Sequence, residues 1–355
     1  MDNGLSDPDA ILVDAPELAV LPEDDGFHIA DYNIGDFEWW YFDIFDQVSG
    51  CFLKIVVHIG TNPLKTKIFP QLAVSVNTPE GSVSFSHSYS FSEMSADTQH
   101  CNISFQDKIK IWSEFDIHPE YFIKIDIPRL KCDFRFIGEI EGWKPLGNKI
   151  HHQIGGRKGS FSWIIPVPKA RVEGVFLYEN KKYTLQNAIG YHDHNYYKVG
   201  RNHPLHLDDL VIKWIWGKCY ADRFTMIFMD TQCRTNRILS LMIAESNEII
   251  LSSNNLVDCS VVSFGYDNLL HVKYPTAFRV KSNDERFLFK AELECNRLLD
   301  RKDLLEGVNP IIKMLIKNFF AKPAYHGILA KVKFRINDND LEGSGNYESM
   351  VFRER

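Results

Sequence analysis

From Glu38 onward the chain alternates between apolar and polar positions. In "KIKIWSEFDI" (108–117), Ile109, Ile111, Ser113, Phe115 and Ile117 fall on one side of an extended chain, and Lys108, Lys110, Trp112, Glu114 and Asp116 on the other. This period of two predicts a strand with one wet face. The segments "EWWYFDIFD", "GCFLKIVVHIG", "PQLAVSVNT", "GSVSFSHSYSF", "CNISF" and "YFIKIDI" have the same character: short, rich in Val, Ile, Phe and Tyr, and bounded by Gly, Pro, Asn or Asp. The second half repeats it in "ARVEGVFLY", "VIKWIWGKCYA", "RFTMIFMDT", "RILSLMIAE", "CSVVSFGY", "RFLFKAELEC" and "HGILAKVKFRI". Evenly spaced short strands predict an all-β fold of barrels or sandwiches.

Two stretches depart from that rhythm. "VNPIIKMLIKNFFA" puts Ile311, Met314, Leu315 and Phe319 on one helical stripe behind Pro310. It predicts one C-terminal helix, which either closes an end of a barrel or packs outside a sheet. "GWKPLGNKIHHQIGGRKGSFSWIIPVP" (142–168) is rich in glycine, holds three prolines and has little periodicity, so it reads as an inter-domain connection with the boundary near Pro166. The expected organisation is an acidic N-terminal arm (1–26), an N-terminal β-domain (27–165) and a C-terminal barrel domain (166–355). The arm, interrupted by Pro8, Pro16 and Pro22, reads as extended on the surface or partly disordered.

The length of 355 residues supports two domains, because one core stops growing at roughly 250–300 residues. The aromatic content is high, with 25 Phe, 14 Tyr and 7 Trp, which fits either a β-rich core or a large apolar ligand cavity. A formal charge of −7 gives no footprint for a polyanion, so nucleic acid is not an expected partner. The seven cysteines are scattered and form no C-x-x-C, which points away from a disulfide framework and towards a reducing cytoplasm. No signal-like leader or long apolar run is found, so neither export nor a membrane span is expected.

The candidate chemistry concentrates in "GYHDHNYY" (190–197). If this segment is extended, Tyr191, Asp193 and Asn195 share one face and His192 and His194 the other. A metal reading recruits the two histidines, with His203 or His206 as a third ligand, but the acidic ligand expected a few residues later is missing, and no metal or other cofactor is expected. An acid–base reading uses Asp193 between a phenol and an amide. A third reading makes Asp193 and Asn195 a polar knot that fixes backbone. In "EWWYFD", Glu38, Trp40 and Phe42 share one face and Trp39, Tyr41 and Asp43 the other; either could line a cavity or serve as interface core.

"EWWYFD" (38–43), "SWIIPVPKARVEG" (162–174), "GYHDHNYY" and "WIWGK" (214–218) together resemble the carotenoid 1,2-hydratase-like family, also called hydroxyneurosporene synthase-like or AttH-like, which includes the lipocalin-like Diels–Alderases. The resemblance covers about residues 36 to 230. It implies two lipocalin-like β-domains and a hydrophobic ligand near their interface. The family motif G-Y-x-D-H-N-W-G maps onto Gly190, Tyr191, Asp193, His194 and Asn195, while Tyr196 and Tyr197 replace its Trp and Gly. Phe161 stands where carotenoid hydratases carry a His two positions before Trp163. The activity so implied is acid-assisted hydration, or cyclisation including pericyclic cyclisation, of C=C bonds in a polyene, isoprenoid or polyketide; the alternative is a lipid-binding or transfer protein. Asp193, Tyr191 and Asn195 are the expected catalytic residues, and Trp163, Trp214, Trp216, Trp40, Tyr196 and His194 the expected substrate contacts. A transient contact with a membrane surface fits such a ligand.

Overall fold

The structure is a computed structural model and describes residues 10–12, 16–62, 66–115, 118–147, 150–254, 257–282, 287–319, 321–337 and 339–353. Ile117 and Asp116, part of the alternating pattern above, lie outside the described residues. The chain is all-β with curled antiparallel sheets, as the alternation predicts, and it divides into two compact units.

One unit comprises residues 17–149 and 160–199. Its strands follow the order Gly81–Ser88, Ile68–Thr78, Cys51–Thr61, Phe37–Asp46, Ala188–Val199, Arg157–Tyr178, Leu130–Gly138, Pro119–Ile127, Ile109–Phe115, Asn102–Phe105 and Met94–Ala96. The sheet curls, so that Tyr89, just past the first of these strands, packs its ring 4.4 Å from that of Phe105 near the last. Inside lie Trp40, Phe42, Ile55, Val57, Tyr121, Phe134 and Phe136, all fully buried. The alternation read from "KIKIWSEFDI" holds for Ile109, Ile111 and Ser113, which are buried between exposed lysine and half-buried tryptophan.

The other unit comprises residues 1–16, 150–159 and 200–355. Its main sheet runs Glu248–Ser253, Arg237–Glu245, Phe224–Cys233, Val211–Ala221, Asn339–Val351, Ala324–Ile336, Phe289–Asp303, Val272–Ser282 and Val257–Asp267. It also closes on itself: Arg237 donates to the carbonyl of Cys259 across the two ends at 2.6 Å. Ile215, Cys219, Phe228, Leu241, Phe278, Leu293 and Tyr347 fill it.

The boundary expected near Pro166 is corrected by this arrangement. Pro166 and Pro168 lie inside the strand Arg157–Tyr178, ahead of Ala170, where its ladder with Leu130–Gly138 begins, so residues 166–199 belong with the N-terminal sheet. The glycine-rich stretch holds a hairpin. Gly155 and Gly156 both have positive φ, 54° and 78°, the conformation of a two-residue turn whose twist suits flanking strands, here Ile150–Ile154 and Arg157–Tyr178. The glycine-rich stretch thus contains a tight turn, and within it the chain passes between the two units, at 149/150 and again at 159/160, as expected of an inter-domain connection.

The arm is also corrected in part. Ala10–Leu12 pairs antiparallel with His151–Gln153, Glu17 bridges to Lys144, and Pro22–Asp25 forms a short 3-10 turn whose Asp25 is fully buried. Residues 1–9 and 13–15 lie outside the described residues. The helix forms over Pro310–Phe319, but its stripe is not covered: Ile311, Met314 and Leu315 are all exposed, and the side chain of Phe319 lies outside the described residues.

Candidate functional site

The strand Ala188–Val199 pairs with Phe37–Asp46 in a register that sets His192 opposite Phe42, Asp193 opposite Tyr41 and His194 opposite Trp40. Because side chains alternate, this pair of strands carries two different polar assemblies, one on each face.

The inward face holds charge inside the aromatic core. Asp25 Oδ2 accepts hydrogen bonds from Tyr121 Oη at 2.7 Å and His192 Nε2 at 3.0 Å, and His192 Nδ1 donates to the carbonyl of Tyr41 at 3.0 Å. Glu38 accepts from His194 Nε2 at 2.8 Å and from the backbone N–H groups of His28 and Ile29 at 2.9 and 3.0 Å. His194 Nδ1 donates to the Asp24 carbonyl at 3.2 Å and passes 3.3 Å from Asp25 Oδ1, which no hydrogen bond reaches, so that second contact is ionic. Both ring nitrogens of His194 therefore face acceptors, and the ring needs both protons. Burial disfavours its charge, yet the carboxylates of Asp25 and Glu38 beside its two nitrogens outweigh that and raise it to about 9. Burial likewise pushes both carboxyls up, but the histidines prevail and hold each below its usual range, His192 foremost for Asp25 and His194 for Glu38. Phe42 stacks on His192 at 3.9 Å and Trp40 on His194 at 4.5 Å.

The glycine that opens the motif follows from the same face. A Cβ on Gly190 would sit 2.4 Å from Val172 Cγ2 and 2.5 Å from the Phe136 ring, so only hydrogen fits there.

The outward face is built around Asp193, which is buried. Tyr191 Oη lies 2.8 Å and Trp163 Nε1 3.3 Å from Asp193 Oδ2, and Asn195 Nδ2 lies 2.8 Å from Oδ1. Indole and amide N–H groups can only donate, so each carboxyl oxygen has a donor aimed at it. Tyr41 and Asp43 share this face on the neighbouring strand, joined by a 2.9 Å hydrogen bond, and the Tyr41 ring meets that of Tyr191 edge to face. Trp143, fully buried, backs Trp163 at 6.3 Å.

Four of the expected site residues, Asp193, Tyr191, Asn195 and Trp163, are thus brought together. Trp40, His194 and Tyr196 point the other way, into the core: Trp40 Nε1 donates to the Asp25 carbonyl and Tyr196 stacks on His28 at 4.1 Å. An even residue number on these strands means the inward face, which removes all three from the side of Asp193. Trp214 and Trp216 belong to the other unit, on the strand Val211–Ala221, on the side away from its core residues Ile215 and Cys219; Trp216 Nε1 donates to Glu348 at 3.1 Å. The metal-ligand candidates His203 and His206 also belong to that unit. A cluster with metal-ligand spacing does occur, formed by His28, Glu38 and His194, but Glu38 and His194 already satisfy one another in it. Sequence reasoning missed Asp25, Tyr121 and Trp143. Asp25 is one acid among several in an acidic segment, and only the tertiary fold brings it 167 residues along the chain to His192.

No family model matches the chain. A hydroxyneurosporene dehydrogenase of Chlorobaculum tepidum is 22% identical over 221 residues, covering 55% of this chain and 56% of the relative, so the chain spans about half the length of the curated relative it matches. The crystal structure of an AttH-type protein from Nitrosomonas europaea superposes with a TM-score of 0.62 at 13% identity, over 95% of this chain and 98% of its own. The fold is the AttH-like, lipocalin-like one. The AttH-like architecture is shared with CghA in complex with Sch210972, at a TM-score of 0.60 and 11% identity over 97% and 99% of the two chains. It is shared too with kievitone hydratase of Nectria haematococca, at 0.58 and 12% over 95% and 97%. No helix among the described residues is long and apolar enough to cross a membrane.

Proposed function

We propose that this AttH-like protein is an enzyme that hydrates or cyclises C=C bonds of a hydrophobic polyene, isoprenoid or polyketide, with Asp193 as the proton donor. The observation that carries the proposal is the buried Asp193 with donors on both oxygens. When its carboxyl proton passes to an alkene carbon, the π pair forms the new C–H bond and a tertiary cation remains on the neighbouring carbon. Tyr191, Asn195 and Trp163 hydrogen-bond the carboxylate left behind. The rings of Trp163 and Tyr41 supply cation–π stabilisation of about 0.5–2 kcal/mol each. Water then captures the cation in a hydration, or a second C=C attacks it in a cyclisation, and a proton leaves to restore Asp193. The fold of kievitone hydratase, and that of CghA with its bound Sch210972, support a small-molecule role by analogy of architecture alone. None of the seven cysteines is in a disulfide and six of them are buried, which fits a reducing cytoplasm.

A pericyclic reading uses the same face with Tyr191 polarising a carbonyl, and a carrier uses it only to bind. Native mass spectrometry of co-purified small molecules names the candidate substrate, and turnover of that compound by Asp193→Asn tests the chemistry. We expect at least a 10²-fold fall with affinity within a few-fold of wild type. An active Asp193→Asn with an impaired Tyr191→Phe selects the pericyclic reading. A ligand bound and released without conversion selects the carrier.

A further inference from the structure

The helix Pro310–Phe319 leaves its apolar side uncovered. Ile311, Ile312, Met314 and Leu315 are each more than two-fifths exposed, Ile311 at 67%. Spacings of three and four residues put Ile311, Met314 and Leu315 on one stripe. Lys322, just past the helix, donates to the carbonyl of His271 at 3.4 Å, next to the turn that carries the exposed Leu269. An uncovered apolar stripe on a chain of otherwise ordinary composition marks a place where something docks.

Charge identifies the occupant. Between Gly307 and Pro323 the chain has three lysines and no acidic residue, although its formal charge as a whole is −7. Lys313 and Lys317 share the single carboxylate of Asp303, at 2.7 and 2.6 Å, which leaves a net positive charge beside the stripe, and Lys322 adds another. A short helix with apolar side chains on one side and lysines along its flank is built to lie in the interface of an anionic bilayer: the side chains enter the acyl boundary and the ammonium groups stay among the headgroups. Protein partners offer no comparable match, because the stripe is short and its flank carries a net positive charge.

We propose that this helix and the Leu269 turn form a reversible docking surface for anionic phospholipid membranes. The inference is independent of the chemistry at Asp193. It is tested with the full-length chain by co-sedimentation with phosphatidylcholine vesicles prepared with and without phosphatidylglycerol. Wild type is expected to bind the anionic vesicles, to bind the neutral ones much more weakly, and to dissociate as salt is added. The double substitution Ile311→Glu and Leu315→Glu should reduce binding at least tenfold while the melting temperature holds, since neither side chain is buried. Lys322→Glu should weaken binding to anionic vesicles alone. A wild type that ignores both vesicles, or a double variant that binds as well as wild type, overturns the proposal. So does a wild-type dimer in light scattering that the double variant converts to monomer, because a second copy would then be the occupant.

Discussion

Replacing Glu38 by Gln keeps the shape of the side chain and removes one charge from a site that water does not reach. Two consequences follow from the geometry. His194 loses the carboxylate 2.8 Å from its Nε2, which leaves a buried cation with the contact to Asp25 and the Asp24 carbonyl. The new amide NH2 must also take the place of one oxygen, and each oxygen now accepts N–H donors, Oε1 from His194 and His28, Oε2 from His28 and Ile29. A donor is therefore forced against donors whichever way the amide turns. Breaking a buried pair in this way costs about 3–5 kcal/mol. For a unit of this size that is a fall in melting temperature of about 6–20 °C.

The pH dependence gives an independent estimate. His194 is raised from its ordinary 6.5 to about 9, so its contribution is complete below about 6.5 and is lost as the pH climbs through 9. That difference corresponds to about 3 kcal/mol, near the lower end of the mutational figure. Asp25 and Glu38 are lowered, so their contributions are present above their unfolded values and are lost as the pH falls through the folded ones. Stability should thus peak between roughly pH 4.5 and 6.5 and decline towards pH 9, and the decline should be smaller in Glu38→Gln. Thermal melts by tryptophan fluorescence across this range measure both effects. A Glu38→Gln protein within 1 kcal/mol of wild type, or a wild-type melting temperature that is flat from pH 6.5 to 9.5, would refute the argument.

Gly190→Ala places a methyl group against Val172 and Phe136 and should cost about 1–3 kcal/mol in urea melts; an unchanged midpoint would mean the strand yields more than close packing allows. If Asp193 is an acid, activity on the identified substrate should vanish as the pH rises past its titration, whereas a pericyclic reaction should show a flat profile near neutrality. Elemental analysis should find no stoichiometric zinc or iron, and a chelator should leave the melting temperature unchanged, because Glu38 and His194 are engaged with each other. One bound metal per chain would contradict that arrangement.

The strands were legible because their faces differ: a buried Ile109 and Ile111 beside an exposed Lys110 is a tertiary fact written locally. The same period separated Asp193 from His192 before any coordinates. It could not say which face of "EWWYFD" accompanied which, since Trp40 and Tyr41 are equally aromatic; pairing with Ala188–Val199 decided it by putting Trp40 opposite His194 and Tyr41 opposite Asp193. The helix was legible as a helix, while its exposed stripe was not, because a periodic apolar face reads alike whether it meets a core or a surface. The unit boundary was hidden for another reason. Local composition marked the stretch 142–168, in which the chain passes between the units at 149/150 and 159/160 around the Gly155–Gly156 turn, but no local rule tells that residues 160–199 return to the first unit.

The interleaving of the two units sets an order on synthesis. The unit containing Asp193 is complete in sequence once Val199 has been made, whereas the other has by then only residues 1–16 and 150–159 and awaits everything from Gly200 on. At about 5–20 residues per second the stretch from Gly200 to Arg355 takes about 8–30 s to be made. The polar assemblies on both faces of Ala188–Val199 can form on the ribosome first. Separating the units for study therefore requires cuts on both sides of residues 150–159, because no single truncation isolates either one.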